Sequence, residues 1–582
     1  MLDIIDDDRN KTGGQTSPAR ASLLWPAGRH YEREANLTRA AGRDLDLAFL
    51  VRAFDLDRSR QDMILNVLEA LHRDPEVILY RQAVLTDLLS FPQLAARLER
   101  LLPVTEALGQ YSFQPPKKMN ALHEVTWRLG ELQSILDSVR LLAEAFEEVG
   151  EQLKSQGLRD LWSQVQSFQQ DPDFQALAGD LPQLLSQLRT CASVTIGVNL
   201  DQFLRPVQAT LLAVNEEKFT APSFLNRLVG KGFNDWEGIA QLHSVPRQET
   251  GGQYSFPVDP ELGWAVDPLM VPLFKDLAEV IEKTTRPIAK QLQRYVQMNG
   301  RLFIELRQAL VFYLGALRFI RRMQAHGLPM VRPEIAPIEE RILSVREMYN
   351  PSLVLHLSRG DDGCDLSNEI VSNELEMGEN GRILILTGPN QGGKTTYLQA
   401  AGLIQVLAQA GLYIPAVQAR ISPVDNIFTH FPLEEKPEMD AGRLGEESRR
   451  LGEIFQHVTR YSLVLLNESL SSTSAGESLY LALDVVRILR KIGLRAIFTT
   501  HLHELAARTG EINESTPGDS AAVSLVVSPV EEGPQRGKDI RRSYKVELRP
   551  PAGQSYAREI AARYGISYEQ LHELLAKRGV IQ

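Results

Sequence analysis

The chain has 582 residues, of which 43% are hydrophobic and 24% charged, with a formal net charge of −11. This length exceeds what one core organises and predicts roughly three or four domains, while the ordinary apolar fraction excludes wholesale disorder. The acidic balance excludes a uniformly basic surface of the kind that sequence-independent DNA binding uses, so any nucleic acid is expected at a local basic patch or in a channel between subunits.

The first eight residues, Met1 to Asp8, are acidic where a secretory leader would be basic and then apolar. Residues 1–35 mix Asp, Arg, Gly, Ser and Pro without periodicity and read as a mobile tail. From Asp44 to about Leu188 apolar residues recur every three or four positions, with Leu47, Leu50, Val51 and Phe54 as one stripe, which predicts helices. The β-branched runs Ala192–Val198 and Ala209–Val214 predict a pair of strands, a small β insertion near 190–260 within a helical region spanning 36–340. Helical periodicity returns from Pro272 to Ala325, and as one helix this would be an arm of roughly 80 Å. Either a bundle helix or a lever between distant sites fits that length. A stiff, proline-rich boundary at His326–Pro337 follows, and from 341 to 582 strand and helix patterns alternate. The expected fold class is therefore mixed: an α-helical core or lever region, then an α/β nucleotide-binding domain.

Neither Cys191 nor Cys364 has metal-ligand neighbours, which argues for a reduced compartment and against a zinc cluster. The longest apolar runs, such as Ala309–Leu317, fall short of the roughly 20 residues that cross a bilayer. A soluble, cytoplasmic protein without a membrane partner is expected.

The most specific signal is Gly388-Pro-Asn-Gln-Gly-Gly-Lys-Thr395, a phosphate-loop spacing between the apolar run Arg382–Thr387 and a helical pattern from Thr396. A glycine-rich backbone here curls its N–H groups toward one anion at a helix N-terminus. Gly388, Pro389, Asn390, Gln391, Gly392, Gly393, Lys394, Thr395 and Thr396 are the expected ATP-binding residues, with Thr395 a Mg²⁺ ligand. The second apolar run, Tyr461–Leu466, ends at Asn467 and Glu468. Asp is usual where Asn467 stands; an amide holds metal-bound water without adding charge, so weaker Mg²⁺ affinity is expected. Glu468 is the candidate base or water-orienting group. A third run, Leu494–Thr500, delivers His501 as a γ-phosphate sensor; His501, His503 and Glu504 read alternatively as metal ligands, although two histidines two apart share no helical face. Asp440–Arg450 reads as a loop opening a helix, either holding a phosphate or simply solvated.

These elements in this order resemble the MutS family of DNA-repair ATPases. The Gly-Pro-Asn-x-Gly-Gly-Lys loop carries the resemblance together with Ala410–Ala416, Ile421–Thr429, Ala441–Arg443, Asn467-Glu468, Ser472–Ser474 and Thr499–His501, all within residues 340–510. Weaker matches lie at Asp74–Gln82 and Gln554–Ile560. The resemblance implies a homodimer with C-terminal dimerisation helices, the loop around Ala441–Glu447 approaching the nucleotide of the partner chain, and helices that clamp DNA under control of ATP. It also implies that Asn390, Gly393, Lys394 and Thr395 hold phosphates and that Glu468 and His501 support hydrolysis. Ile370 and Asn373 align with the family's base-binding positions, although Ile cannot stack as an aromatic ring does. Mismatch-reading members carry an N-terminal Phe-x-Glu wedge domain and a connector; the expectation here is a truncated member without them, with Phe303-Ile-Glu305 a core segment inside a helix. The expected function is slow ATP hydrolysis coupled to a DNA clamp in repair or recombination, on structured or branched duplex. The alternative is a non-catalytic, ATP-gated scaffold; a transporter ATPase subunit is disfavoured by the long helical half.

Overall fold

The computed structural model describes residues 22–28, 37–111, 121–189, 193–220 except Arg205, 283–295 except Thr284, 298, 300–358, 363–432, 442–528, 543–551, and 565–580 except Gly579. Most of the N-terminal segment 1–35, the stretch 221–282, the dipeptide Asp440-Ala441 and the segment Gln554–Ile560 lie outside the described residues. Two compact units are formed, and they do not follow the linear order of the chain. One contains residues 91–154 and 158–310; the other contains 23–90, 155–157 and 311–582, so the unit boundary falls within the helix Arg301–Ala325.

The first unit is helical. Ala121–Phe146 buries Leu129, Leu132, Ile135, Val139, Leu142 and Phe146 along one stripe. Gln156–Gln170 is strongly amphipathic and places Leu158, Leu161 and Val165 inside. Phe303 is 1% exposed and packs on Phe168, a core position. The strands β1 (Ser193–Leu200) and β2 (Pro206–Asn215) pair antiparallel.

Of the expected arm from Pro272 to Ala325, residues 272–282 lie outside the described residues, and the described part is not one continuous helix. The described helix runs Arg301–Ala325, about 37 Å, and is preceded by a 3₁₀ turn at Gln293–Tyr295. Long-range hydrogen bonds account for the break. The Arg128 guanidinium takes the carbonyls of Tyr295 and Met298, groups that an uninterrupted helix would spend on its own amides. At Gly300 a Cβ would sit 2.1 Å from Leu108 Cδ2, so the chain approaches its neighbour where only glycine fits.

The second unit holds a six-stranded sheet in the order β12-β11-β6-β10-β9-β8. Its strands are β6 (Ile383–Thr387), β8 (Ile427–His430), β9 (Leu463–Asn467), β10 (Arg495–Thr500), β11 (Ala522–Val527) and β12 (Val546–Leu548). All neighbours are parallel except β11 and β12. Strands β6, β9 and β10 are buried at every residue, as continuous apolar runs covered on both faces require. A four-stranded sheet joins β3 (Glu334–Ile335), β7 (Gln418–Ile421), β4 (Leu343–Met348) and β5 (Asn373–Met377). The overall class is thus mixed, helical and α/β.

Residues 37–90 pack within this unit because their apolar side chains are inserted into it. Leu45 is fully buried, and a Cβ on Gly402 in the helix Lys394–Gln409 would come 2.5 Å from its Cδ2. Arg81, also fully buried, donates to Leu24 O and lies over the Trp25 ring at 4.7 Å.

Candidate functional site

The strands β6, β9 and β10 run parallel and end side by side, and the segments leaving their carboxyl ends carry the site. In parallel α/β sheets this edge is where ligands bind, because the turns there point backbone N–H groups and helix N-termini at one spot. After β6 the backbone turns through Gly388, passes Gln391 at φ 58° and reaches Gly393 at φ 93°, a left-handed conformation that side chains resist. The helix Lys394–Gln409 starts immediately afterwards. At Gly388 a Cβ would lie 2.7 Å from Val527 Cβ of β11, so glycine is needed for the close strand approach.

Lys394 is buried, and its Nζ donates to the carbonyls of Gly388 (3.0 Å) and Pro389 (3.1 Å) and stands 3.7 Å from Glu468 Oε1. Burial holds its pKa below the usual lysine value, partly opposed by Glu468. Thr395 Oγ1 donates to Asn467 Oδ1 at 3.3 Å, and Thr499 Oγ1 donates to the same oxygen at 2.8 Å. Glu468 follows β9 at φ 49°, its N–H donating to Thr499 O at 2.9 Å. His501 Nε2 meets Glu468 Oε1 at 2.8 Å, and this hydrogen bond is the largest cause of a carboxyl pKa below the ordinary range.

A cavity of about 500 Å³ opens in front of these groups, lined by Gln391, Gly392, Gly393, Lys394, Thr395, Thr396 and Glu468. Gly388, Pro389, Asn390, Asn467 and His501 are not in its wall: the first two supply the carbonyls around Lys394, while Asn467 and His501 act on wall residues through hydrogen bonds. Of the two base-site positions, Asn373 lines the cavity, whereas Ile370 is only 7% exposed and is absent from the lining. Asn373 is also committed: its Nδ2 donates to Tyr544 O and its Oδ1 accepts from Val546 N.

The far side of the cavity contains residues that local patterns did not single out: Tyr349, Asn350, Leu353, Leu357, Glu369 and Tyr544. Asn350 caps the helix Pro351–Ser358, its Oδ1 accepting from Ser352 N and Leu353 N, while its Nδ2 donates to Thr396 O. The Asn-Pro pair at a helix start was the legible signal for this residue. Tyr544 comes from the distant β12 side of the sheet, packs on Gly393, and offered no signal of its own.

The helix Gly442–His457 begins at the anticipated loop and buries Leu451 and Ile454. Its Glu447, 8% exposed, accepts from Ser472 Oγ at 3.1 Å.

A parallel sheet with a glycine-rich turn, a buried lysine and an acid at neighbouring strand ends defines an α/β domain with a candidate site at its carboxyl edge. Sequence comparison identifies which one. The MutS domain V profile matches residues 384–573 and the MutS2 N-terminal domain profile matches residues 73–326. The chain belongs to the MutS family. Similar curated proteins include the DNA mismatch repair protein MutS of Chloroflexus aurantiacus, 28% identical over 379 residues, covering 61% of this chain and 36% of that protein. Endonuclease MutS2 of Staphylococcus carnosus is 32% identical over 267 residues, covering 45% of this chain and 30% of that protein. DNA mismatch repair protein Msh6 of Gallus gallus is 26% identical over 464 residues, covering 74% and 34% respectively. The chain thus spans about a third of the length of these relatives. Among the described residues no helix is long and apolar enough to cross a membrane.

Proposed function

We propose that this chain binds ATP with Mg²⁺ in the cavity before Gly388–Thr395, hydrolyses it slowly, and works as a homodimeric clamp on structured or branched DNA in repair or recombination. The observation that carries this reading is the placement of Lys394: a buried ammonium at the start of a helix, inside a glycine turn, with a carboxylate 3.7 Å away. The ammonium is held by two carbonyls of the loop and lies near Glu468; a triphosphate would offer stronger, charged acceptors in exchange. The backbone amides of the loop and the helix N-terminus add to this attraction.

The donor set at Thr395 and Asn467 fits a hard cation that keeps much of its water, because a hydroxyl and an amide oxygen converge there. When bound, the ion would neutralise charge on the phosphate oxygens. If Thr395 turns its hydroxyl toward the ion, Asn467 Oδ1 regains one lone pair for metal-bound water while Thr499 keeps the amide oriented. Glu468, kept ionised by His501, orients the attacking water as an acceptor. Tyr349, Leu353, Leu357 and Tyr544 supply an apolar slot that fits a purine ring.

A second reading, an ATP-gated scaffold without turnover, draws on Asn467, which brings no charge to the ion. Single-turnover hydrolysis across a Mg²⁺ titration separates the two. The enzyme reading expects Glu468→Ala to abolish turnover and Asn467→Asp to raise it several-fold at limiting Mg²⁺. Turnover that is absent in the wild type, and not created by Asn467→Asp, leaves the scaffold. Gel shifts on duplex, mismatched and four-way-junction DNA, with and without ATP, test the clamp; equal, nucleotide-insensitive binding to all three removes it.

A further inference from the structure

The turn that presents Glu468 holds two non-glycine residues in the left-handed region, Glu468 at φ 49° and Leu470 at φ 64°. Such conformations are strained and persist only where surrounding contacts fix them. Backbone hydrogen bonding from Glu468 N to Thr499 fixes one side. Between the two strained residues stands Ser469, 4% exposed, with its Oγ 2.6 Å from His430 Nδ1 and 3.2 Å from His430 O.

Ser469 Oγ can donate to His430 O, and the direction of the shorter Nδ1–Oγ hydrogen bond follows the tautomer of the ring. His430 is 1% exposed, with the Arg450 guanidinium and the Glu447 backbone acting on the same ring. Burial, and then the neighbouring Arg450 charge, lower the histidine pKa to about 4, so the ring is uncharged at neutral pH. His430 is the last residue of β8, the edge strand of the sheet, and the preceding Thr429 donates to Asp44 Oδ2 at 2.8 Å. The strand end is therefore anchored on one face by Asp44 and grips the turn on the other.

We infer that His430 and Ser469 form a positioning pair that holds the strained turn and thereby aims the Glu468 carboxylate into the cavity. The inference rests on the reading of Glu468 as the water-orienting group. His430 and Ser469 act through backbone geometry and touch no ligand. Losing their hydrogen bonds lets the turn relax, which moves Glu468 without altering the loop that holds phosphates.

The test is single-turnover hydrolysis of γ-labelled ATP by the full chain with Mg²⁺, alongside ATP affinity and melting temperature. Ser469→Ala and His430→Leu are each expected to slow the chemical step about ten-fold, with ATP affinity within about two-fold of wild type. The double variant should be no slower than either single one, since one shared contact is lost. His430→Asn, which places an amide N–H near the position of Nδ1, should retain most of the rate. Wild-type rates in Ser469→Ala and His430→Leu, with Glu468→Gln inactive, overturn the pair and leave the ATPase reading intact. Multiplying losses, equal losses in affinity and rate, or a lowered melting temperature with an unchanged rate also overturn it. A Glu468→Gln protein as active as wild type defeats the reading of Glu468 itself, and the pair with it.

Discussion

Two buried histidines are kept neutral by their surroundings, and that has a measurable consequence. Burial lowers His72 to about 3 and His430 to about 4, from an ordinary 6.5. The unfolded chain takes up protons on these rings below 6.5 while the folded chain does not, so stability is full above that value and falls as pH drops toward 4. For His430 the gap corresponds to roughly 3 kcal/mol at its limit. Melting curves from pH 4 to 8 should show the decline, and His430→Asn should flatten part of it. Slopes identical in wild type and variant would contradict the buried neutral ring. At this scale the phosphate-loop motif was legible because its meaning is local: eight consecutive residues specify a turn. Asn467 and Glu468 were legible as the end of an apolar run. Tyr349 and Tyr544 were not, since they reach the cavity from positions 45 residues before and 150 residues after Lys394, and no periodicity encodes that meeting. Ile370, aligned with a base-binding position, is 7% exposed and is not among the residues lining the cavity.

Among elements, the helix Lys394–Gln409 is the best specified by sequence and the most constrained by packing. Gly402 on this helix is a notch for Leu45, and Gln399 Nε2 donates to Asp44 O at 2.9 Å. The segment from Leu23 to Ser90 therefore packs into the unit that holds the Gly388–Thr395 turn. Leu45→Ala should cost about 2–5 kcal/mol, and the loss should appear in the unfolding transition that ATP stabilises. A loss confined to a transition indifferent to ATP would contradict this assignment. The other long helical stretch shows what sequence periodicity leaves out. Its apolar stripe extends in sequence from Pro272 to Ala325, and Arg128, more than 160 residues earlier, takes the Tyr295 and Met298 carbonyls that a regular ladder would use. Periodicity reports which face is apolar; it carries no record of a distant side chain competing for backbone acceptors.

For the molecule as a whole, charge bears on the clamp proposal. The helical unit, including residues 1–22, carries 24 Lys and Arg against 30 Asp and Glu, so it offers no global attraction to a phosphate backbone. The proposed clamp would hold DNA by local contacts, which predicts a shallow dependence of affinity on salt. The MutS2 N-terminal and MutS domain V matches fall on one chain, and the proposed coupling is between ATP at Lys394 and the helices of the other unit. Every step of that coupling depends on nucleotide entering the Gly388–Thr395 turn. Calorimetric titration of the full chain with ATP and Mg²⁺ tests this most directly. The account predicts one saturable site per chain, lost or weakened at least about ten-fold in Lys394→Ala, where a charged phosphate contact is removed. No detectable ATP binding by the wild type, or the same affinity in Lys394→Ala, would contradict it.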